Sequence, residues 1–202
     1  MVQVLEKLVT FEEFLEFYPE NGGIYELIKG EIIEMNPTGR HEEIIAFIVF
    51  QLNLVIHQQK LRYFLPRTCT IKPLIPNNGY KPDITVLDKS MISSEPLWEK
   101  SSTITHGESI KLVIEVVSTN WRDDYVDKLN NYEQLGITEY WLIDYLGLGV
   151  FRYIGNPKQP TITICNLIDG EYQLQQFRSS DRLISTVFPQ LNLTVSDIFE
   201  SQ

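Results

Sequence analysis

Glu115 asks most of its surroundings. It stands in Leu112-Val113-Ile114-Glu115-Val116-Val117, and because side chains alternate along a strand it shares a face with Val113 and Val117. A buried, unpaired carboxylate is costly, so Glu115 needs a cation, a metal ion or a set of donors opposite it. Taken alone, it is explained better by a buried salt bridge or a strand end that lets the carboxylate escape to water. Asp83 opens the run Asp83-Ile84-Thr85-Val86-Leu87 behind Pro82, whose ring fixes its own φ and restricts Lys81 before it. Alone, Asp83 reads as a turn or cap residue. If the two strands are neighbours, both carboxylates can point to one place, and two oxygen ligands completed by water are what Mg²⁺ commonly takes from a protein. Lys128 is the third residue. At about 100° per residue around a helix, Tyr125, Val126, Leu129, Tyr132 and Leu135 define one apolar face, and Lys128 falls inside it. A lysine there either reaches back toward Glu115 or snorkels past the stripe to water.

These residues need two strands and a helix to carry them, and the chain supplies both. Residues 111–117 are nearly all apolar, as in a central strand covered on both faces, and 139–144 is a second such run. Between them, 123–135 reads as a helix closed by Gly136, so the order strand, helix, strand predicts a right-handed crossover between parallel strands. Residues 83–87 form another strand, and 62–75 is strand-like. Upstream, Thr10-Phe11-Glu12-Glu13 fits a capping box ahead of a short helix, and Lys29-Gly30 joins two alternating runs, 24–28 and 31–35, into a hairpin. Ile44, Ile45, Phe47, Ile48, Leu52, Val55 and Ile56 recur at helical spacing and predict a long, largely buried helix over 41–59. Residues 88–108 read as a polar loop with one helical turn. Strands are expected at 150–154, 161–167 and 172–177, the last two joined across Asp169-Gly170, and a short helix at 195–199. The fold class is therefore α/β, a mixed sheet flanked by helices with an N-terminal helix and hairpin and C-terminal antiparallel strands, in one domain over residues 1–202.

Composition narrows the function. With 202 residues, 43% hydrophobic and 22% charged, the chain can bury a sizeable core. No apolar run approaches the roughly 18 residues of a membrane helix, and the opening Met1-Val2-Gln3-Val4-Leu5-Glu6-Lys7 has no leader-like pattern, which points to the cytoplasm and to no membrane partner. Cys69 and Cys165 stand alone in apolar or β-branched surroundings, as buried reduced thiols do. A net charge of −10 argues against a non-specific nucleic-acid coat. Yet residues 44–82 contain no Asp or Glu and hold Lys60, Arg62, Arg67, Lys72 and Lys81, which form either a local positive surface or cations scattered over edges and loops.

The segments Tyr80-Lys81-Pro82-Asp83, Val113-Ile114-Glu115-Val116-Val117-Ser118, Asp124 with Lys128 and Tyr132 at four-residue steps, and Glu139-Tyr140-Trp141-Leu142-Ile143-Asp144 resemble the Uma-type endonuclease family, a branch of the restriction-endonuclease-like PD-(D/E)XK superfamily. The hairpin Tyr25-Glu26-Leu27-Ile28-Lys29-Gly30-Glu31 and His41 extend the resemblance over roughly residues 10–199. It implies an Mg²⁺-dependent endonuclease, with Mn²⁺ as a substitute, acting on nucleic acid and first of all on DNA. Asp83 and Glu115 would be metal ligands, the Val116 carbonyl a third, and Lys128 would orient the attacking water. Glu42 is a candidate extra ligand, although a solvated acid at a helix start explains it more simply. Glu26 and His41 match family positions without an assigned role. The chain departs from the usual superfamily pattern in having Val117 where the lysine two residues after the second acid would stand, so the lysine must come from the next helix. A homodimer is a further expectation, since nucleases that cut duplexes often pair.

Other chemistries fail on spacing. His41-Glu42 begins like a zinc-protease helix, but Ile45 stands where the second histidine belongs. There is no G-x-S-x-G elbow and no Walker-type glycine loop. The alternative from a different class is an inactive nuclease-fold module that binds nucleic acid or a protein partner.

Overall fold

The structure, a computed structural model, describes residues 8–18 and 22–201. The opening stretch Met1–Lys7, where no leader is expected, lies outside those residues. In chain order the elements are helix α1 (Phe11–Glu16), strands β1 (Ile24–Ile28) and β2 (Glu31–Met35), helix α2 (Gly39–Gln59), strands β3 (Tyr63–Phe64), β4 (Thr70–Ile71) and β5 (Ile84–Asp88), helix α3 (Trp98–Ser101), strands β6 (Thr103–Ile104) and β7 (Ile110–Val116), a π-helical segment (Asp123–Lys128) running into α4 (Leu129–Leu135), strand β8 (Glu139–Asp144), helix α5 (Phe151–Ile154), strands β9 (Thr161–Ile168) and β10 (Glu171–Phe177), and helix α6 (Val195–Phe199).

The main sheet has six strands in the order β10-β9-β8-β7-β5-β3. β7 and β8 pair in parallel and their neighbours pair antiparallel, so the sheet is mixed and the strand carrying Glu115 is central. Ile44, Ile48, Leu52 and Val55 of α2 cover one face together with α6, against Val86, Leu112, Ile114 and Val116. The π-helical segment and α4 cover the other with Tyr125 and Tyr132, against Val113, Val117, Tyr140 and Leu142. The alternation Leu112/Ile114/Val116 versus Val113/Glu115/Val117 thus divides the strand between two cores, as its sequence predicts. The hairpin β1–β2 forms a separate two-stranded sheet, and its turn puts Lys29 at φ 53 and Gly30 at φ 85, both left-handed as a tight hairpin requires. The capping box at Thr10 is present, with Glu13 Oε2 accepting the Thr10 N–H at 2.9 Å. No helix among the described residues is long and apolar enough to cross a membrane.

Four expectations need correction. Residues 62–75 hold only the two-residue strands β3 and β4, because Pro66 and Pro73 remove ladder donors, and β4 leaves the main sheet to pair with β6. Residues 150–154 fold as a helical turn instead of a strand. The Asp144 carboxylate captures the N–H groups of Leu148 and Gly149 at 2.9 and 2.8 Å and bends the chain, while the free edge of β8 is already taken by β9. The polar stretch 88–108 holds helical turns at Ile92–Ser94 and Trp98–Ser101, strand β6 and the start of a third turn at Gly107–Ser109, organised around buried Glu95. Finally, the start of the 123–135 helix is π-wound, so a regular 100° wheel misplaces Val126, which is 39% exposed, while Lys128 is buried as expected.

Candidate active site

Strands β5 and β7 run antiparallel with Ile84 opposite Ile114, Thr85 opposite Val113 and Val86 opposite Leu112. Continuing that register by one residue sets Asp83 across from Glu115, a position where side chains on one face stand about 5 Å apart at Cβ. Asp83 Oδ2 accepts the Val116 N–H at 2.7 Å and lies 3.2 Å from His41 Nε2. The same imidazole nitrogen donates to the Val116 carbonyl at 3.0 Å. His41 reaches this point from the first turn of α2, whose N-cap Thr38 accepts the His41 backbone N–H.

Lys128 enters from the opposite side of the acid pair. Its Nζ lies 3.0 Å from Glu115 Oε1, 3.1 Å from Glu26 Oε1 and 3.5 Å from Asp124 Oδ1. The lysine is only 2% exposed, so it points inward and does not snorkel. Tyr132, one helical turn further on, donates its hydroxyl to the same Glu115 oxygen at 3.1 Å. Tyr80 and Tyr140 pack edge-on against the Tyr132 ring and close the space around the ammonium. Glu26 is delivered by the hairpin. Leu27 exchanges backbone hydrogen bonds with Gly79 at 2.9 and 2.8 Å, and Glu26 Oε1 accepts the Lys81 N–H at 2.8 Å.

The electrostatics follow from too many acids around too few cations. Burial pushes the Glu115 carboxyl well above the usual carboxylate range; Lys128 pulls it back, and the charges of Asp83, Asp124 and Glu26 push it further up. Burial likewise raises Asp124 to about 7, again opposed by Lys128. For Lys128 burial favours the neutral amine, but Glu115, Glu26 and Asp124 outweigh it and hold the ammonium charged. Burial would lower the His41 imidazole, yet Asp83, the Val116 carbonyl and Glu42 more than offset this and raise it.

A donor census separates these acids from ordinary buried ones. Glu139, fully buried, receives the Trp141 indole and Ser185 hydroxyl on one oxygen and Thr186 and Val187 on the other. Glu95 is similarly served by Thr105, His106 and Ser109. Both are structural staples. At the cluster, by contrast, donors to Glu115 fall on Oε1 and those to Asp83 on Oδ2, among the described residues. Glu26 Oε2 is buried with no hydrogen-bond partner. Hard oxygens left over in a net-negative pocket are the donor chemistry a divalent cation takes. Among the described residues no three or more His, Cys, Asp and Glu side chains form a complete ligand set. A cation here would therefore take carboxylate oxygens from two acids and complete its shell with water or substrate.

Of the residues singled out from sequence, Asp83, Glu115 and Lys128 converge. The Val116 carbonyl is at the site and is engaged by His41. Glu42 is exposed in the first turn of α2. The basic stretch is split: Lys72 pairs with Glu12 and Lys81 lies over the Tyr18 ring, while Lys60, Arg62 and Arg67 are exposed. The participation of Glu26, Asp124 and Tyr132 in holding the lysine is new; the four-residue steps from Asp124 to Lys128 to Tyr132 were the available signal. A cleft of about 710 Å³ between Glu12, Lys72, Lys100 and His106 shares no residue with the cluster.

The family model Uma2, described as "Putative restriction endonuclease", matches residues 11–196. Among solved structures, a crystal structure titled as a "putative nuclease belonging to DUF820" from Anabaena variabilis ATCC 29413 has the same fold, with a TM-score of 0.68 and 23% identity over 95% of this chain and 98% of that one. No curated protein matches the chain.

Proposed function

We propose, because the chain belongs to the Uma2 family, that it is a divalent-metal-dependent endonuclease hydrolysing phosphodiester bonds of nucleic acid, DNA being the expected substrate. The observation that carries this reading is the convergence of Asp83, Glu115 and Lys128 from two neighbouring strands and a helix, with carboxylate oxygens left free of donors. Asp83 and Glu115 would hold Mg²⁺ or Mn²⁺, with the Val116 carbonyl as a further oxygen. When bound, the ion would make a coordinated water a better nucleophile and neutralise charge on the phosphate. Lys128, kept charged in a dry pocket, supplies a second positive group where negative charge develops. His41 fixes the rotamer of Asp83 and orients the Val116 carbonyl. Glu42, exposed in the first turn of α2 beside His41, stays in this reading as a candidate extra ligand at the rim. Two copies would act together; Phe50 and Leu54, one turn apart and 62% and 39% exposed on the outer side of α2, support such a pairing.

The test is a cleavage assay on plasmid and single-stranded substrates with Mg²⁺, Mn²⁺ or chelator. Wild type should cut only with metal. Asp83→Ala and Glu115→Ala should lose both cleavage and calorimetric Mg²⁺ binding, and Lys128→Ala should lose at least about a hundredfold in rate. Metal-independent behaviour of all four proteins would leave a nuclease-fold binding module instead.

A further inference from the structure

An ammonium has three N–H groups, and in this structure Lys128 has three carboxylate partners, Glu115 at 3.0 Å, Glu26 at 3.1 Å and Asp124 at 3.5 Å. Of the three, the Glu115 contact is the hydrogen bond and those to Glu26 and Asp124 are ion pairs, so an ammonium drawn by three acids is held away from a phosphate oxygen or an attacking water. One partner must let go, and the three are not equivalent. Asp124 is the most distant, and its side chain is 10% exposed, against 1% for Glu26 and 5% for Glu115. It also rides on the same π-helical segment as the lysine, so it fixes Lys128 to nothing outside that segment.

Glu26 is the opposite case. It comes from the hairpin, whose Leu27 is locked to Gly79, and the oxygen that holds Lys128 also takes the Lys81 N–H, two residues ahead of Asp83. One oxygen therefore ties the ammonium to the chain that carries the first acid. The other oxygen is buried without a donor. Saturated acids such as Glu139 show what this chain does when a carboxylate serves only structure. Glu26 is left with the ammonium and one backbone N–H to offset the burial of its charge, so its place in the fold is explained by Lys128.

We propose that Glu26 is the fixed anchor of Lys128 and Asp124 its releasable partner, so that the β1–β2 hairpin is a working part of the active centre. Glu26 is a positioning residue in this scheme, which rests on the nuclease reading. The experiment follows Lys128 directly, by its rate of acylation in the folded protein read by mass spectrometry, beside Mg²⁺ affinity, kcat and KM. In Glu26→Ala, Lys128 acylation should rise about tenfold through local opening. In the same variant kcat should fall about a hundredfold while KM and Mg²⁺ affinity hold. Glu26→Gln keeps the shared acceptor oxygen and should recover part of both effects; if Glu26→Ala does not fold, it carries the test against wild type. Asp124→Asn should lower kcat far less than Glu26→Ala. Loss of Mg²⁺ affinity in the Glu26 variants to the level of Asp83→Ala would overturn the proposal, since Glu26 would then be a metal ligand. Unchanged acylation and kcat, or an Asp124→Asn defect equal to that of Glu26→Ala, would overturn it as well. An acylation pattern as expected in a wild type that cuts nothing would support the anchor and overturn the nuclease reading alone.

Discussion

Asp124→Asn should change how the stability of the metal-free protein depends on pH. Folding raises the Asp124 carboxyl from 3.8 to about 7, chiefly by burial. The folded state therefore holds this proton more tightly than the unfolded chain does. Stability is fully present below the unfolded value, is lost as pH climbs from near 4 toward 7, and is level above. About three pKa units at about 1.36 kcal/mol each give a loss of about 4 kcal/mol. In a chain of this length about 1 kcal/mol moves the midpoint by about 2–4 °C, so the melting temperature should shift by about 10 °C. The asparagine cannot ionise and should lack this loss. The assay is urea denaturation in chelator at intervals from pH 4.5 to 8.5, with the two proteins plotted as a difference. His41, raised in the folded state, and the carboxylates lowered at Glu95 and Asp88 titrate in both proteins and cancel, whereas Glu115, which the Asp124 charge helps to raise, is raised less in the asparagine variant and adds to the difference in the same direction. Difference curves that stay flat between pH 5 and 7, or slope the other way, would refute the burial argument. Millimolar Mg²⁺ should shrink the wild-type loss, since a bound cation does the work of the proton.

Three further outcomes follow from the same contacts. Lys128→Met leaves three buried acids without their cation and should cost about 3–5 kcal/mol at pH 8, with less lost at pH 5 where the acids take up protons, as read by urea midpoints. Glu139→Ala strands the Trp141, Ser185, Thr186 and Val187 donors and should cost about 3 kcal/mol or more while leaving calorimetric Mg²⁺ affinity unchanged. A Cβ at Gly107 would overlap the Leu135 carbonyl at the end of α4, so Gly107→Ala should lower the melting temperature by several degrees and reduce cleavage through the displaced helix.

Glu115 and Lys128 were legible because their local sequence contradicted their chemistry. Glu115 sits in a run of apolar β-formers, and Lys128 sits within an aromatic stripe, so each announced a partner; Asp83 was marked by the proline before it. The α/β architecture, the hairpin, the long helix and the parallel pairing of 111–117 with 139–144 were readable from periodicity. Glu26 could not be ranked this way. An acid in the middle of a short alternating hairpin strand looks solvated, and only the docking of that hairpin on Gly79 turns it inward. The π-winding at Asp123–Lys128 leaves no compositional trace, so a regular helical wheel misplaces Val126 and still buries Lys128. At 150–154 a β-rich run follows directly on β8, whose two sides are already taken by β7 and β9, a fact that belongs to the topology and to no local window.

Since the acid pair is set by two neighbouring strands of a sheet while the ammonium arrives on a helix beyond a short connection at residues 117–120, the two halves of the centre have separate mechanical mounts. Strand pairing sets the gap between the acids stiffly. The connection sets how far the helix advances. Lengthening or shortening it by one residue should therefore retune turnover while ion binding stays put, an adjustment closed to enzymes that keep acid and lysine on a single strand.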